Sequence, residues 1–336
     1  MDLPMQPPIL IPSGPIPSHQ GRSVSFHRHW RYSYPHMLLP ATDRHGRRMM
    51  ARTGTDARIG ALLRRALTLA VLLLGLIVVP AEPTRAVDSD LQEVARNLAS
   101  HRALYTLSVA RLDPRNYRHG IAGGLSLEFV HACDGYVLNQ RFVIETTTDD
   151  GTILNNMVLN SWEALDGKSF RFKMRDEVNG DLEQELKGEG KLSSRGGSVT
   201  FTQPEDTDLD LPPMTLFPTE HTVRLLALAR SGGNWLQASI YDGASADAYS
   251  EVGGFIGGEL PVETGGNPIV SELKGQRSWR IRLAYFTSEK AQDTPDYEIA
   301  YRLYENGVAD DIVFDYGDYA IRATLKLLEL KPREAC

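Results

Sequence analysis

Alternation of apolar and polar residues with a period of two is the feature that most constrains this chain of 336 residues. It is clearest in three segments, 170–175, 279–283 and 319–327, where the residues between the apolar ones are mostly charged or hydroxylated. This period predicts β-strands with one face in the core and one in water. Looser alternation covers ten more segments: 102–112, 123–133, 136–148, 152–164, 182–188, 198–203, 234–241, 248–256, 296–305 and 308–316. The sequence therefore predicts an all-β fold of about thirteen strands, with Trp162, Trp235 and Trp279 interpreted as core residues.

Turn signals between these segments predict tight hairpins: Asp149-Asp150-Gly151, Asp166-Gly167, Asn179-Gly180, Asn306-Gly307 and Tyr316-Gly317-Asp318. Gly and Asn adopt the positive φ that such turns need, so consecutive strands should be antiparallel neighbours. An open sheet seldom exceeds about ten strands, so this one must curl around its apolar face. The space that it encloses has to be filled by a helix, a loop or a ligand.

Two segments have the helical period instead. Residues 88–100 form a short amphipathic pattern, in which Asp90 and Glu93 have capping-box spacing. Residues 204–231 interrupt the strands: a loop rich in Pro and Asp precedes a helix that opens at Thr219 and stops at Gly232-Gly233. The apolar residues of this second helix are predicted to fill the lumen of the curled sheet, notably Val223, Leu225, Leu226 and Leu228.

A leader precedes the predicted sheet. Residues 66–79 are an uncharged apolar run of 14, preceded by Arg58, Arg64 and Arg65. Such a run is too short to span a bilayer comfortably, since about 20 apolar residues are needed. Basic residues, an apolar run and then small residues are typical of a secretory signal peptide. We expect cleavage after Ala86, with cleavage after Ala81 and a retained membrane anchor as the alternatives.

The chain is thus predicted to have three parts. Residues 1–57 show no apolar periodicity and are expected to be a disordered extension or to lie upstream of the true start, with Met49 or Met50 as the first residue. Residues 58–86 are the signal peptide, and residues 87–336 form a single periplasmic domain. We expect no integral membrane span in this mature part.

Charge and motifs exclude several functions for the mature part. It carries 25 Lys and Arg against 39 Asp and Glu, a net charge of −14, which argues against nucleic acid as a partner. The basic rows Arg171, Lys173, Arg175 and Arg280, Arg282 are interpreted as water-facing sides of strands. Its histidines, which are His101, His119, His131 and His221, lie in no catalytic motif, and His119 is expected in a loop. Asp206, Asp208 and Asp210 lack the Gly and Glu that would complete a calcium loop. We therefore predict no catalytic residue, no metal site and no cofactor.

Export makes the two cysteines informative. Cys133 and Cys336 are the only pair in the chain, and an even number of cysteines in an oxidising compartment favours a disulfide. Two free thiols, or an intermolecular bridge through Cys336, are the alternatives.

The chain resembles the EipB-like family of periplasmic cell-envelope integrity proteins of Gram-negative bacteria. The matching stretches are residues 98–105, 132–136 and 211–221, together with Cys336. The most specific are Cys-Asp-Gly-Tyr at 133–136 and the run from Leu-Pro-Pro at 211 to Phe-Pro-Thr at 219. The resemblance implies a long antiparallel sheet wound as an unclosed, barrel-like β-spiral, with one helix inserted in its lumen and a disulfide from an early strand to the C-terminus.

The same resemblance implies an architecture like that of periplasmic lipoprotein carriers and no enzymatic activity. We therefore expect a non-enzymatic protein that supports envelope integrity by binding a lipid, a lipoprotein or an envelope protein. The alternatives are a purely structural interaction module with a filled interior, and a hydrolase of envelope polymers with Asp134 as a candidate acid.

A bond between Cys133 and Cys336 closes a loop across 203 residues, for which chain entropy predicts a stabilisation of roughly 4 to 5 kcal/mol. Cys133→Ser or Cys336→Ser should therefore lower the melting temperature without abolishing the fold, because the core of the sheet remains. Thermal unfolding followed by circular dichroism measures this. Equal melting temperatures for oxidised and reduced wild-type protein would contradict the prediction.

Overall fold

The computed structural model describes residues 84–113, 118–261, 268–288 and 293–334, and Cys336. The predicted extension and nearly all of the predicted signal peptide lie outside the described residues. Two α-helices are present in the described part, α1 (Thr84–Asn97) and α2 (Pro218–Arg230), together with a 3-10 helix at Pro268–Leu273.

The strands form one antiparallel sheet of fourteen, in the order β8-β7-β6-β5-β4-β3-β2-β1-β14-β13-β12-β11-β10-β9. Their bounds are β1 (His101–Leu112), β2 (Arg118–His131), β3 (Gly135–Thr148), β4 (Gly151–Ala164), β5 (Ser169–Val178), β6 (Asp181–Ser193), β7 (Gly196–Gln203), β8 (Asp208–Leu211), β9 (Trp235–Ile240), β10 (Ser250–Glu259), β11 (Ser278–Thr287), β12 (Tyr297–Tyr304), β13 (Ala309–Asp315) and β14 (Tyr319–Leu330). The sheet is two meanders joined where the first strand pairs with the last. The predicted all-β fold, an unclosed antiparallel sheet with two helices, is confirmed.

The hairpin signals form turns as predicted. Asn179 and Gly180 have φ values of 53° and 92°, and Gly307 and Gly317 have φ values near 90°, at 87° and 85°. These values lie in the left-handed region, which Gly and Asn adopt at low cost.

Three predictions about single elements need correction. The Asp-rich loop contains a short strand, β8, which pairs with β7 through Thr200 and Asp208 at one end. The sequence analysis missed it because four residues carry too little periodicity. Helix α1 ends at Asn97 instead of residue 100, because the amide of Ala99 donates to the carbonyl of Asn306 and residues 98–100 run extended into β1. Trp235, interpreted as core, is 55% exposed on the outer face.

The sheet curls strongly, since side chains from distant strands meet inside it. Phe142 on β3 packs edge-on against Phe314 on β13, with ring centroids 5.4 Å apart. The ring of Phe172 on β5 lies against the backbone of Gly243, in the connection after β9. One apolar face is thereby wrapped into a continuous interior.

The unpaired edges of the sheet, β8 and β9, are linked through the chain that carries α2. Before the helix, Leu216 makes a single parallel bridge to β9, with its amide 2.8 Å from the carbonyl of Ser239. Next to it, Phe217 is fully buried and stacks on Phe170 of β5, with centroids 5.0 Å apart. The connection between β8 and α2 therefore contacts both halves of the sheet, through β5 in one half and β9 in the other.

Truncation of Phe217 should test this connection. Phe217→Ala removes a ring with no exposed surface and should lower the free energy of unfolding by about 3 to 5 kcal/mol. Met214→Ala is the matched control in the same connection, because Met214 is 82% exposed and its loss should change stability by less than about 0.5 kcal/mol. Urea unfolding of both variants measures the difference, and equal losses would show that Phe217 does not anchor the connection.

Candidate functional site

A half-open cavity of about 180 Å³ lies inside the spiral, between the central strands and the beginning of α2. Strands β1, β2, β3 and β13 form its wall, and the first turn of α2 forms its roof. Its apolar lining consists of Leu98, Tyr105, Leu125, Leu127, Phe129, Leu138, Pro218, Ala309 and Ile312. Its polar lining consists of His101, Thr219 and Thr222.

The polar groups at this cavity bond to the backbone. Nδ1 of His101 lies 2.7 Å from the carbonyl of Ala99, to which it donates, and burial lowers the pKa of this imidazole. The hydroxyl of Tyr105 donates to the carbonyl of Ala309 at 2.8 Å. Thr222 donates to the carbonyl of Pro218 at 3.0 Å, within its own helix. The lining thus presents an apolar, uncharged surface to a ligand.

The first turn of α2 is held by a carboxylate from the sheet. Phe217, the N-cap residue, offers no side-chain acceptor. Instead, the amide of Thr219 donates to Oε2 of Glu163 at 2.7 Å, and the amide of Glu220 donates to Oε1 at 2.8 Å. Glu163 lies on β4 and is only 2% exposed. Because both oxygens accept amide hydrogens that have no partner within the helix, Glu163 fixes the roof of the cavity over the sheet.

Burial nevertheless dominates the ionisation of Glu163. Desolvation raises its pKa from 4.5 to about 7, although the two amide hydrogen bonds act in the opposite direction. The neighbouring charge of Glu220 raises this pKa further. Sequence analysis missed Glu163, and the available signal was its position: it falls on the inward-facing register of β4, in phase with the buried Met157.

The residues predicted to fill the lumen belong to the same helix. Val223, Leu225 and Leu226 are buried against α1, β3 and strands β9 to β12, whereas Leu228 is only partly buried. His221, on the same helix, is buried, and burial lowers its pKa to about 4. Within the described part of the chain, its Nε2 atom has no hydrogen-bond partner.

The opposite end of the lumen carries a row of tyrosines. Tyr285 stacks on Tyr297 with ring centroids 4.5 Å apart, and Tyr316 stacks on Tyr319 with centroids 4.9 Å apart. The centroids of Tyr297 and Tyr316 are 5.8 Å apart, which links the two pairs. Burial raises the pKa of the hydroxyls of Tyr285 and Tyr316, so these phenols stay neutral. This end of the interior is therefore lined by neutral aromatic rings.

The remaining candidate residues do not form a reactive group. Asp134, the candidate acid, is exposed and accepts a hydrogen bond from Nε1 of Trp162 at 3.4 Å. The ring of His131 contacts the carbonyl of Leu98. His119 lies in β2, where a loop was expected. Among the described residues, no three His, Cys, Asp or Glu side chains are placed to hold a metal ion.

The basic rows on the outer face are paired within the sheet. Arg171 covers the ring of Trp162 at 4.0 Å, and Lys173 and Arg175 form ion pairs with glutamates on β6 and β5. Arg280 and Arg282 bond to Asp311 and Glu298 at 2.9 and 3.2 Å. These cations thus have protein partners, as expected for water-facing strand residues.

Cys133 and Cys336 are joined by a disulfide, with their Cα atoms 5.6 Å apart. Cys133 lies in the turn between β2 and β3, and Cys336 follows β14. The amide of Lys331 donates to the carbonyl of Ser100 at 2.8 Å on the same side of the sheet. The bond therefore ties the C-terminal end of the chain beside the start of β1.

Stability should fall as pH rises through the titration of Glu163. The folded protein holds a proton on this carboxyl up to about pH 7, whereas the unfolded chain releases it near 4.5. Between these values the native state binds more protons, so the free energy of unfolding decreases with pH, by up to about 3 kcal/mol. Glu163→Gln should flatten this decrease in urea unfolding curves measured from pH 4 to pH 8.

The control is Glu205→Gln, which changes an exposed carboxylate in the connection between β7 and β8 and should retain the wild-type slope. A Glu163→Gln profile parallel to the wild type would show that Glu163 does not titrate in this range.

No helix in the described part of the chain is both long and apolar enough to cross a membrane. The family model EipB-like matches residues 92–332. The cell envelope integrity protein EipB of Brucella abortus (strain 2308) is 32% identical over 241 residues, which cover 70% of this chain and 85% of that protein.

A solved structure is also similar. It is the crystal structure of a β-barrel-like protein of a domain of unknown function, DUF1849, from Brucella abortus. It aligns with a TM-score of 0.66 and 30% identity over 70% of this chain and 99% of that chain. The resemblance noted from residues 98–105, 132–136 and 211–221 is thereby confirmed, and the chain belongs to the EipB-like family.

Proposed function

We propose that this protein supports the integrity of the cell envelope from the periplasm, as a non-enzymatic protein that holds an acyl chain of a lipid or lipoprotein inside its spiral. The name of the Brucella relative supports the envelope role. The apolar cavity between the central strands and α2 carries the proposal for the ligand.

The chemistry of the cavity favours a hydrocarbon over a polar ligand. Nδ1 of His101 and the hydroxyls of Tyr105 and Thr222 already bond to backbone carbonyls. A polar ligand would therefore lose its hydrogen bonds to water without replacement, which is costly. An acyl chain needs no such partners and gains about 0.8 kcal/mol for each methylene removed from water.

The size of the cavity limits how much of the ligand it encloses. A dry apolar cavity of roughly 150 Å³ accommodates a molecule such as benzene, whereas pockets for larger ligands run from roughly 300 to 1,000 Å³. The cavity of about 180 Å³ therefore holds the terminal part of one chain. The rest of the lipid or lipoprotein extends through the open side, next to Leu127 and Phe129.

Filling the cavity should test the proposal. Ala309→Phe adds a ring at the lining and should weaken the binding of dodecanoate by about tenfold or more, since each excluded methylene is worth about 0.8 kcal/mol. The matched control is Ala300→Phe, on the outward-facing register of β12 next to Arg282 and Val313, which should bind like the wild type. Isothermal titration calorimetry measures both affinities.

Lipid extraction and mass spectrometry of protein purified from its own periplasm provide an independent measurement. Acyl-containing molecules should copurify with the wild type and be depleted in Ala309→Phe. Dodecanoate binding unchanged by Ala309→Phe, or wild-type protein free of acyl chains, would contradict acyl-chain binding and leave a structural module with a filled interior as the better explanation.

A further inference from the structure

We propose that the outer edge of β9 is an acceptor site for a short extended segment of a partner protein, which adds to the sheet as a further strand. No residue of β9 lines the cavity, and the inference does not depend on the proposed function.

The main-chain groups of β9 point alternately to β10 and to the outside. The amide of Ile256 on β10 donates to the carbonyl of Asn234, so the even-numbered residues of β9 bond to β10. The odd-numbered residues therefore face outward. Leu216 satisfies the last of these, since the carbonyl of Ser239 accepts from its amide at 2.8 Å, and the amide of Tyr241, just after β9, donates to its carbonyl at 3.2 Å. This bridge shows that the outer edge of β9 accepts a strand.

Leu216 does not cover the rest of the edge. The chain turns away before it, where Met214 has a φ of 65° and the amide of Thr215 donates to the carbonyl of Pro212. In the described residues no strand pairs with the outer side of Trp235 and Gln237, since β9 is the last strand of the sheet. The main-chain donors and acceptors of these two residues are available to a partner.

The two edges of the sheet are protected very differently. Natural proteins discourage strand addition with charges, prolines, bulges or very short edge strands. Strand β8 has four residues, two of which are the exposed Asp208 and Asp210. Strand β9 is six residues long and contains no charge and no proline. An edge left open in this way is the feature that strand-adding recognition requires.

An exposed aromatic pair adjoins the open edge. Trp235 and Phe255 are direct cross-strand partners and are 55% and 53% exposed. The Trp235 ring lies over Gly253, where an added Cβ would come within 2.8 Å of it. In an added strand, the residue opposite Trp235 would point to this same outer face. The expected occupant is therefore an uncharged extended peptide with an apolar side chain at that position.

The short open edge favours a peptide segment over a second copy of the chain. Only Trp235 and Gln237 offer free main-chain groups before Leu216 blocks the edge, whereas a stable dimer usually buries about 1,200 Å² or more. A segment of a few residues fits this length and binds transiently.

Selection of phage-displayed random nine-residue peptides on the exported protein tests the proposal. Gln237→Pro removes one outward amide and leaves the bonds to β10, which an edge strand tolerates. Gln237→Ala retains that amide and is the matched control. Selected peptides should bind Gln237→Pro about tenfold more weakly, as expected for the loss of one hydrogen bond, and bind Gln237→Ala like the wild type.

Thermal melting of Gln237→Pro checks that this variant folds. Trp235→Ser removes the aromatic ring but retains the main-chain amide and carbonyl, and it should also bind the selected peptides more weakly. Amide exchange at Trp235 and Gln237 should slow when a selected peptide is bound. Three results would overturn the proposal: no enrichment of peptides, equal affinity for Gln237→Pro and Gln237→Ala, or a wild-type dimer in sedimentation that Gln237→Pro dissociates.

Discussion

The structure depends on the need to cover one apolar face of a very long sheet. Fourteen antiparallel strands present a row of side chains such as Phe142, Phe172 and Phe314 on the same side, and that side cannot remain in water. Curling brings the two halves of the sheet, β1 to β8 and β9 to β14, towards each other. The space between them is filled by α2 and the connection that precedes it. The cavity lies where this filling is incomplete, and Glu163 holds the start of α2 over it.

Much of this arrangement could be predicted from local pattern. Period-two alternation located thirteen of the strands, and turns such as Asn179-Gly180 set their antiparallel order. Strand β8 escaped because four residues, two of them aspartates, do not show a period. The cap of α2 could not be predicted for a different reason. Phe217, the N-cap residue, has no side-chain acceptor, and the acceptor is supplied by Glu163, more than fifty residues earlier in the chain. Contacts of this kind depend on the curvature of the sheet, which strand patterns do not contain.

Two residues, Trp235 and Glu163, have a burial that the strand pattern does not predict, and both are informative about function. Trp235 was interpreted as core, yet it lies in the edge strand β9 and is exposed. Glu163 is an ionisable residue in a position where the pattern expects an apolar one. Local rules fail at both places, and both adjoin a proposed binding site: the roof of the cavity in one case and the open edge in the other.

The pairing of β1 with β14 has a consequence for how the molecule is made. His101 lies opposite Leu330, so the centre of the sheet joins residues more than two hundred positions apart. The two meanders can form separately, but they cannot pair with each other until β14, the last strand, is available. Contacts of such long sequence separation slow folding. During folding, β1 and β14 should therefore remain unpaired edges longer than the strands within either meander, which makes them the strands most open to wrong pairing.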